Sequence, residues 1–383
     1  MCLREARPLL GLEVFRGASK LRRDLNAATA NATPAPKPPS IVTPQVDLWC
    51  VGLGSIVVLA PLVLFGDKTI LSLGLSMTAI LTMWINMPHF LASYRIVYRT
   101  KESILRHSGA SIYLPAVLLA YCFYAVAKAE TDFRHVEILL MVSSGYLAWH
   151  YTGQIWGMMA TFGVLSGQPF NKLERNLIRT GLRLQLVWHV TWVLQRVPPD
   201  YPWLLKFAGN AYFVMSVLTA VAYALALAGF WLYRKRTGTL PPLRASIAWL
   251  ALCFWYAAIA RDRDAILLAQ IGHAVQYLAF TGRVEANVYN REHPQGQFPT
   301  SLHVLIYFGL LIVVGFVVVW LLETPGVIVA YDLWGKAAAK ALPPVLLAFI
   351  NIHHYYTDGV IWKISSPTVK RDLFSHLPKD DKK

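Results

Sequence analysis

Ten apolar runs punctuate this chain, most of them near the length of about 20 residues that a helix needs to cross the hydrocarbon of a bilayer. They extend from about Leu48 to Leu64, Thr69 to Tyr98, Ser111 to Ala127, Val136 to Leu165, Leu177 to Leu194, Leu205 to Tyr233, Ala245 to Ala260, Ala265 to Phe280, Ser301 to Leu322 and Ala337 to Tyr356. Apolar runs of this length separated by short polar connections predict an all-α, polytopic transmembrane helical bundle of about ten spans. The pattern divides the chain into a polar, basic cytoplasmic tail and linker (1–46), the bundle with a buried histidine site (47–362), and a cytoplasmic C-terminal tail (363–383).

Composition narrows this picture. Of 383 residues, 56% are hydrophobic and only 15% charged, against about 25% charged in soluble domains, so no separate soluble domain fits beside the bundle. The net charge of +15 could suggest nucleic acid, but its Lys and Arg residues sit in the short connections. Those after even-numbered runs are the basic ones, with Arg95, Arg99, Lys101 and Arg106, then Lys172, Arg175, Arg179 and Arg183, then Arg234, Lys235, Arg236 and Arg244, then Arg283 and Arg291. Connections after odd-numbered runs are lean or balanced, as in Arg261-Asp262-Arg263-Asp264. The positive-inside rule then places both termini in the cytoplasm, and the expected location is a bacterial inner membrane, with the lipid bilayer as partner and no nucleic acid. No apolar segment follows the first basic residues, which argues against a cleaved signal peptide. Cys2, Cys50, Cys122 and Cys253 form no CxxC pair and read as packing residues.

Against this apolar background the polar residues inside the runs stand out, because ionisable groups in hydrocarbon are costly and mark function. The second run carries Asn86 and His89 around Pro88, which is expected to kink the helix. The fourth carries Tyr146, His150 and Gln154 at successive i+4 positions, and the eighth carries Gln270, His273, Gln276 and Tyr277 on one face, with Gly272 and Gly282 allowing close helix approach. The tenth carries Asn351, His353, His354 and Asp358. His353 lies about 100° from His354 around the helix, so both can ligate only from different parts of one cavity. All four runs cross in the same direction, so their histidines fall at similar depth. That coincidence predicts one metal centre with His89, His150, His273, His353 and His354 as ligands. Asn86, Gln154, Gln276 and Asn351 would orient them, and Gln154 would hold an imidazole tautomer or a water. Hydrogen-bonded packing histidines are the plainer alternative for each. His189, in the fifth run, reads as a core histidine or a fifth ligand.

Imidazoles with a carboxylate suit iron, zinc, copper or nickel. A zinc protease would need HExxH, which is absent. The histidine-bearing runs resemble the broad class of integral-membrane non-haem iron oxygenases and desaturases, with His353-His354 similar to part of a histidine box. Four histidines within the membrane also resemble, in general arrangement, the bacterial Brp/Blh-type carotene dioxygenases. The HxxxH and HxxHH boxes of desaturases are absent, since His89, His150 and His273 stand alone. The resemblance covers only these runs and carries over no individual residue. The resulting expectation is a membrane metal-dependent oxidoreductase, a non-haem iron oxygenase or desaturase holding one or two ions. It would act with dioxygen on a hydrophobic small-molecule substrate, with an electron-donor protein as partner. Asp358 or Tyr277 would assist proton transfer, and Arg95 or Lys363 would hold a substrate headgroup. Haem or quinone electron transfer, with His150 and His273 as axial haem ligands, and metal or proton transport are the alternative classes.

Overall fold

A computed structural model describes residues 39–196, 201–294, 296, 298–363 and 366–377. Residues 1–38 of the expected N-terminal tail and linker lie outside the described residues. Every described element is helical, without a strand among them. In chain order these are α1 (Pro44–Phe65), α2 (Thr69–Ser76), α3 (Thr78–Val97), α4 (Lys101–Arg106), α5 (Gly109–Lys128), α6 (Arg134–Leu165) and α7 (Lys172–Leu194). They continue as α8 (Pro202–Thr237), α9 (Leu243–Arg261), α10 (Ile266–Glu292), α11 (Thr300–Trp334), α12 (Lys336–Ile361) and α13 (Pro367–Phe374).

Six of the helices, α1, α5, α8, α9, α10 and α11, are long and apolar enough to cross a membrane, and the bent pair α2–α3 makes up to seven. All ten predicted runs are helical. Those below the apolarity threshold are α6, α7 and α12. α6 and α12 carry the histidines, amides and carboxylate of the predicted site, and α7 carries a row of arginines. Their polarity has the same origin as their interest. The outermost helices show the opposite character. Val117 on α5 and Phe213 on α8 are each 70% exposed, and apolar surface on that scale is what lipid, and not water, covers.

Helices approach closely where glycine removes the side chain. A Cβ at Gly52 would sit 2.7 Å from Ala251 Cβ, so α1 lies directly on α9, and one at Gly181 would sit 2.5 Å from the Ala222 carbonyl oxygen, bringing α7 onto α8. The expected approaches at Gly272 and Gly282 are present: their Cβ atoms would meet Ser55 Cβ at 2.8 Å and Phe308 Cζ at 2.9 Å. Buried charges pin the polar edge. Glu174 closes a capping box with Asn171 and accepts from Arg236 Nε at 2.7 Å, while Asp47 accepts from Arg244 Nη1 at 2.8 Å and from the Ile41 and Val42 amides. The two ends of the described chain meet on this edge, where His376 Nε2 donates to the Ser40 carbonyl at 2.8 Å. The C-terminal segment is therefore not a loose tail throughout: α13 is tied to α10 by Asn287 Nδ2, which donates to the carbonyls of Asp372 and Leu373. The bend in the second run lies at Met77, where α2 and α3 meet at 72°. Pro88 does not make it. A π turn over Thr82–Asn86 precedes the proline and absorbs its missing donor. Cys122 and Cys253 are buried free thiols, and Cys50 is half-buried.

Candidate metal centre

Four helices deliver one imidazole each to a single point. His89 on α3, His150 on α6, His273 on α10 and His354 on α12 each offer a ring nitrogen, and these four atoms all lie within 4.8 Å of one another. His150 Nε2 is 2.9 Å from His273 Nε2 and 3.2 Å from His354 Nε2. Nitrogens bound to one ion at about 2.0–2.1 Å are separated by roughly 2.8–3.4 Å at octahedral or tetrahedral angles, and these two spacings fall in that range. The rings are 0–5% exposed. Both nitrogens of His89 and Nδ1 of His273 find no hydrogen-bond partner among the described residues. Each such orphan costs about 1–3 kcal/mol, and a metal ion satisfies the ligating nitrogens at once. The cluster can therefore hold a metal ion.

The ligand tautomer is set where it can be read. Ser93 Oγ donates to the Phe90 carbonyl at 2.8 Å, and its oxygen lies 2.8 Å from His354 Nδ1. The serine proton is engaged, so His354 Nδ1–H donates to Ser93 and the Nε2 lone pair faces the centre. His150 is stacked on Tyr355, with ring centroids 4.6 Å apart.

One carboxylate stands beside the imidazoles. Asp358 Oδ2 is 3.6 Å from His354 Nε2 and 3.9 Å from His150 Nε2, and Oδ1 accepts from Tyr277 OH at 2.8 Å. Tyr277 OH in turn accepts from Trp362 Nε1 at 2.9 Å. Asp358 is 7% exposed, and among the described residues no Lys or Arg pairs with it. A buried carboxylate stays ionised only with a positive partner, which a cation among the four histidines would supply.

The remaining predicted residues are placed differently. His353 is not part of the cluster: its Nε2 donates to the Ala110 carbonyl at 2.7 Å and its ring stacks on Tyr94. The 100° rotation from His354 carries it to the α5 side of α12. Gln154 does not hold an imidazole. Its Nε2 donates to the His273 carbonyl at 3.1 Å and to Gln276 Oε1 at 3.0 Å, while Gln276 Nε2 donates to the Val51 carbonyl at 2.6 Å. The two amides lock α6, α10 and α1 together behind the centre. Asn86 and Asn351 each keep a buried Oδ1 without a partner among the described residues. His189 packs among Tyr151, Trp192 and Tyr256, apart from the cluster. Arg95 is engaged by Glu285, its Nη2 3.4 Å from Oε1. Ser93, Tyr355 and Trp362 contact the site but were not predicted in these roles. Only Ser93 carried a signal, four residues after His89 on the same helical face.

A cavity of about 330 Å³ adjoins the centre, lined by His150, Tyr277 and Asp358 together with Trp149 and Trp156. Comparison of the chain with family models, curated proteins and solved structures finds no match.

Proposed function

We propose that this protein is an integral-membrane, metal-dependent oxidoreductase in which His89, His150, His273 and His354 hold iron and the cavity admits a lipid-soluble substrate. The observation that carries the reading is the convergence of four buried imidazoles from four helices on one point. An all-nitrogen set with a nearby carboxylate and no thiolate suits non-haem iron ahead of iron–sulfur chemistry, and zinc or copper fit the same donors less selectively. Such iron supplies dioxygen activation. The protein's own residues exclude water from the site, orient the His354 imidazole through Ser93, and keep the Asp358–Tyr277 hydrogen bond beside it for proton transfer, with Trp362 fixing the Tyr277 hydroxyl. Electrons come from a separate donor protein.

The same reading places ten crossings in the bilayer with both ends on the cytoplasmic face of a bacterial inner membrane. The meeting of Ser40 with His376 supports an even number of crossings, and the basic connections support the orientation. Axial haem ligation by His150 and His273 is disfavoured. Trans nitrogens on one iron are about 4 Å apart, twice the metal–nitrogen distance, whereas these are 2.9 Å apart with two further imidazoles alongside.

The test is oxygen uptake by purified, iron-reconstituted protein supplied with a lipid extract from its own membrane. Uptake that depends on iron and is lost in His354→Ala is expected. Turnover by iron-free protein would overturn the proposal.

A further inference from the structure

The cavity lined by His150 and Asp358 is also lined by an arginine. Arg179 of α7 lines it, its guanidinium 5.9 Å from the centre of the Trp156 ring. Six residues of α6 separate His150 from Trp156, a rise of about 9 Å, so the cationic end and the metal end belong to one elongated space. Its wall between them is open: a Cβ at Gly153 or at Gly157 would meet nothing within 4 Å. Arg179 is also the middle member of a row, Arg175, Arg179 and Arg183, spaced by four residues on one face of α7 and all exposed. Among the described residues none of the three makes an ion pair. Like charges at i+4 repel, in contrast to Arg236, Arg244 and Arg95, which are each matched by a carboxylate. A row of unmatched guanidinium groups at the mouth of an apolar slot is an anion site.

We propose that the substrate is a single-chain amphiphile with an anionic head. Arg179 receives its carboxylate or phosphate at the polar edge, and the chain lies along Gly153 and Gly157 with a carbon remote from the head beside the four histidines. The volume of about 330 Å³ is near the lower end for ligand pockets, about 300–1,000 Å³, which favours one acyl chain over a two-chain lipid. This inference rests on the oxidoreductase reading for its chemistry, but the binding it asserts is measurable without turnover.

The probe is a long-chain fatty acid carrying a diazirine near its methyl end, compared with the corresponding alcohol. Each is photolysed with the purified protein and the labelled peptides are mapped. The acid should label α6 between Trp149 and Thr161 in wild type, and in His354→Ala as well if only the metal reading fails. Arg179→Gln should reduce that labelling about tenfold, the loss of one charge-assisted contact, with little change for the alcohol. Gly157→Leu, which fills open space and so leaves the fold intact, should abolish it for both. Equal labelling of α6 by acid and alcohol, labelling unaltered by Arg179→Gln, or labelling confined to the lipid-facing helices α8 and α11 would each overturn the proposal.

Discussion

Removing the hydroxyl of Ser93 should weaken metal binding without weakening the fold. When Nε2 of His354 ligates, its proton must sit on Nδ1, and Ser93 Oγ, 2.8 Å away, is the acceptor for it. In Ser93→Ala that buried N–H has no partner in the metal-loaded state, a penalty of about 1–3 kcal/mol. In the metal-free state the ring can carry its proton on Nε2 instead and escape most of the penalty. The difference falls on affinity, so binding should weaken about 10- to 100-fold, or roughly 1.4–2.7 kcal/mol. The assay is an anaerobic titration of Fe(II) against a chromophoric chelator, with thermal unfolding of the metal-free protein as the control for folding. Ser93→Thr, which keeps the acceptor, should bind nearly as wild type. Unchanged affinity in Ser93→Ala, or equal losses in the alanine and threonine variants, would refute the assignment of the tautomer and with it the inward-facing lone pair of His354.

Other outcomes follow from the same geometry. His353→Ala should keep its metal, because the ring it removes faces Ala110 and Tyr94, whereas His354→Ala should lose it, and metal analysis of the two purified variants separates neighbours that differ by one position. Asp358→Asn should lower Fe(II) affinity about tenfold by removing the carboxylate that lies beside the imidazoles, and oxygen uptake should fall further than affinity because the Tyr277 hydrogen bond loses its charged acceptor. Gly181→Ala should destabilise the protein by about 1–3 kcal/mol, since its Cβ would press on the Ala222 carbonyl. Thermal unfolding should show this while metal stoichiometry in the surviving folded protein stays at the wild-type value.

The helices were legible because hydrocarbon demands long apolar segments with internally satisfied backbones, and little else produces that pattern. Three histidines of the centre, His89, His150 and His273, could be read individually, since each is the lone imidazole in its segment. His353 and His354 could not be told apart by type, and only the helical phase that turns one toward α3 and the other toward α5 decides between them. The amides misled for a different reason. Gln154 and Gln276 lie on the site-bearing faces, yet their reach matches backbone carbonyls of neighbouring helices better than imidazole nitrogens. The hydrogen bond of Trp362 to Tyr277 depends on how α12 ends against α10. The bend at Met77 carries no proline, and Gly74, whose carbonyl accepts from the Met77 amide there, sits in an otherwise ordinary apolar run. Contacts between helices far apart in sequence were the part the residue pattern did not encode.

X-ray absorption at the iron edge of the reconstituted protein addresses the centre most directly. A first shell of nitrogen at about 2.0–2.2 Å is predicted, with the outer-shell scattering of several imidazoles that diminishes in each of the His89, His150 and His273 alanine variants and persists in His353→Ala. Iron with no imidazole scattering, or a protein that retains none, would contradict a metal site built from these four helices.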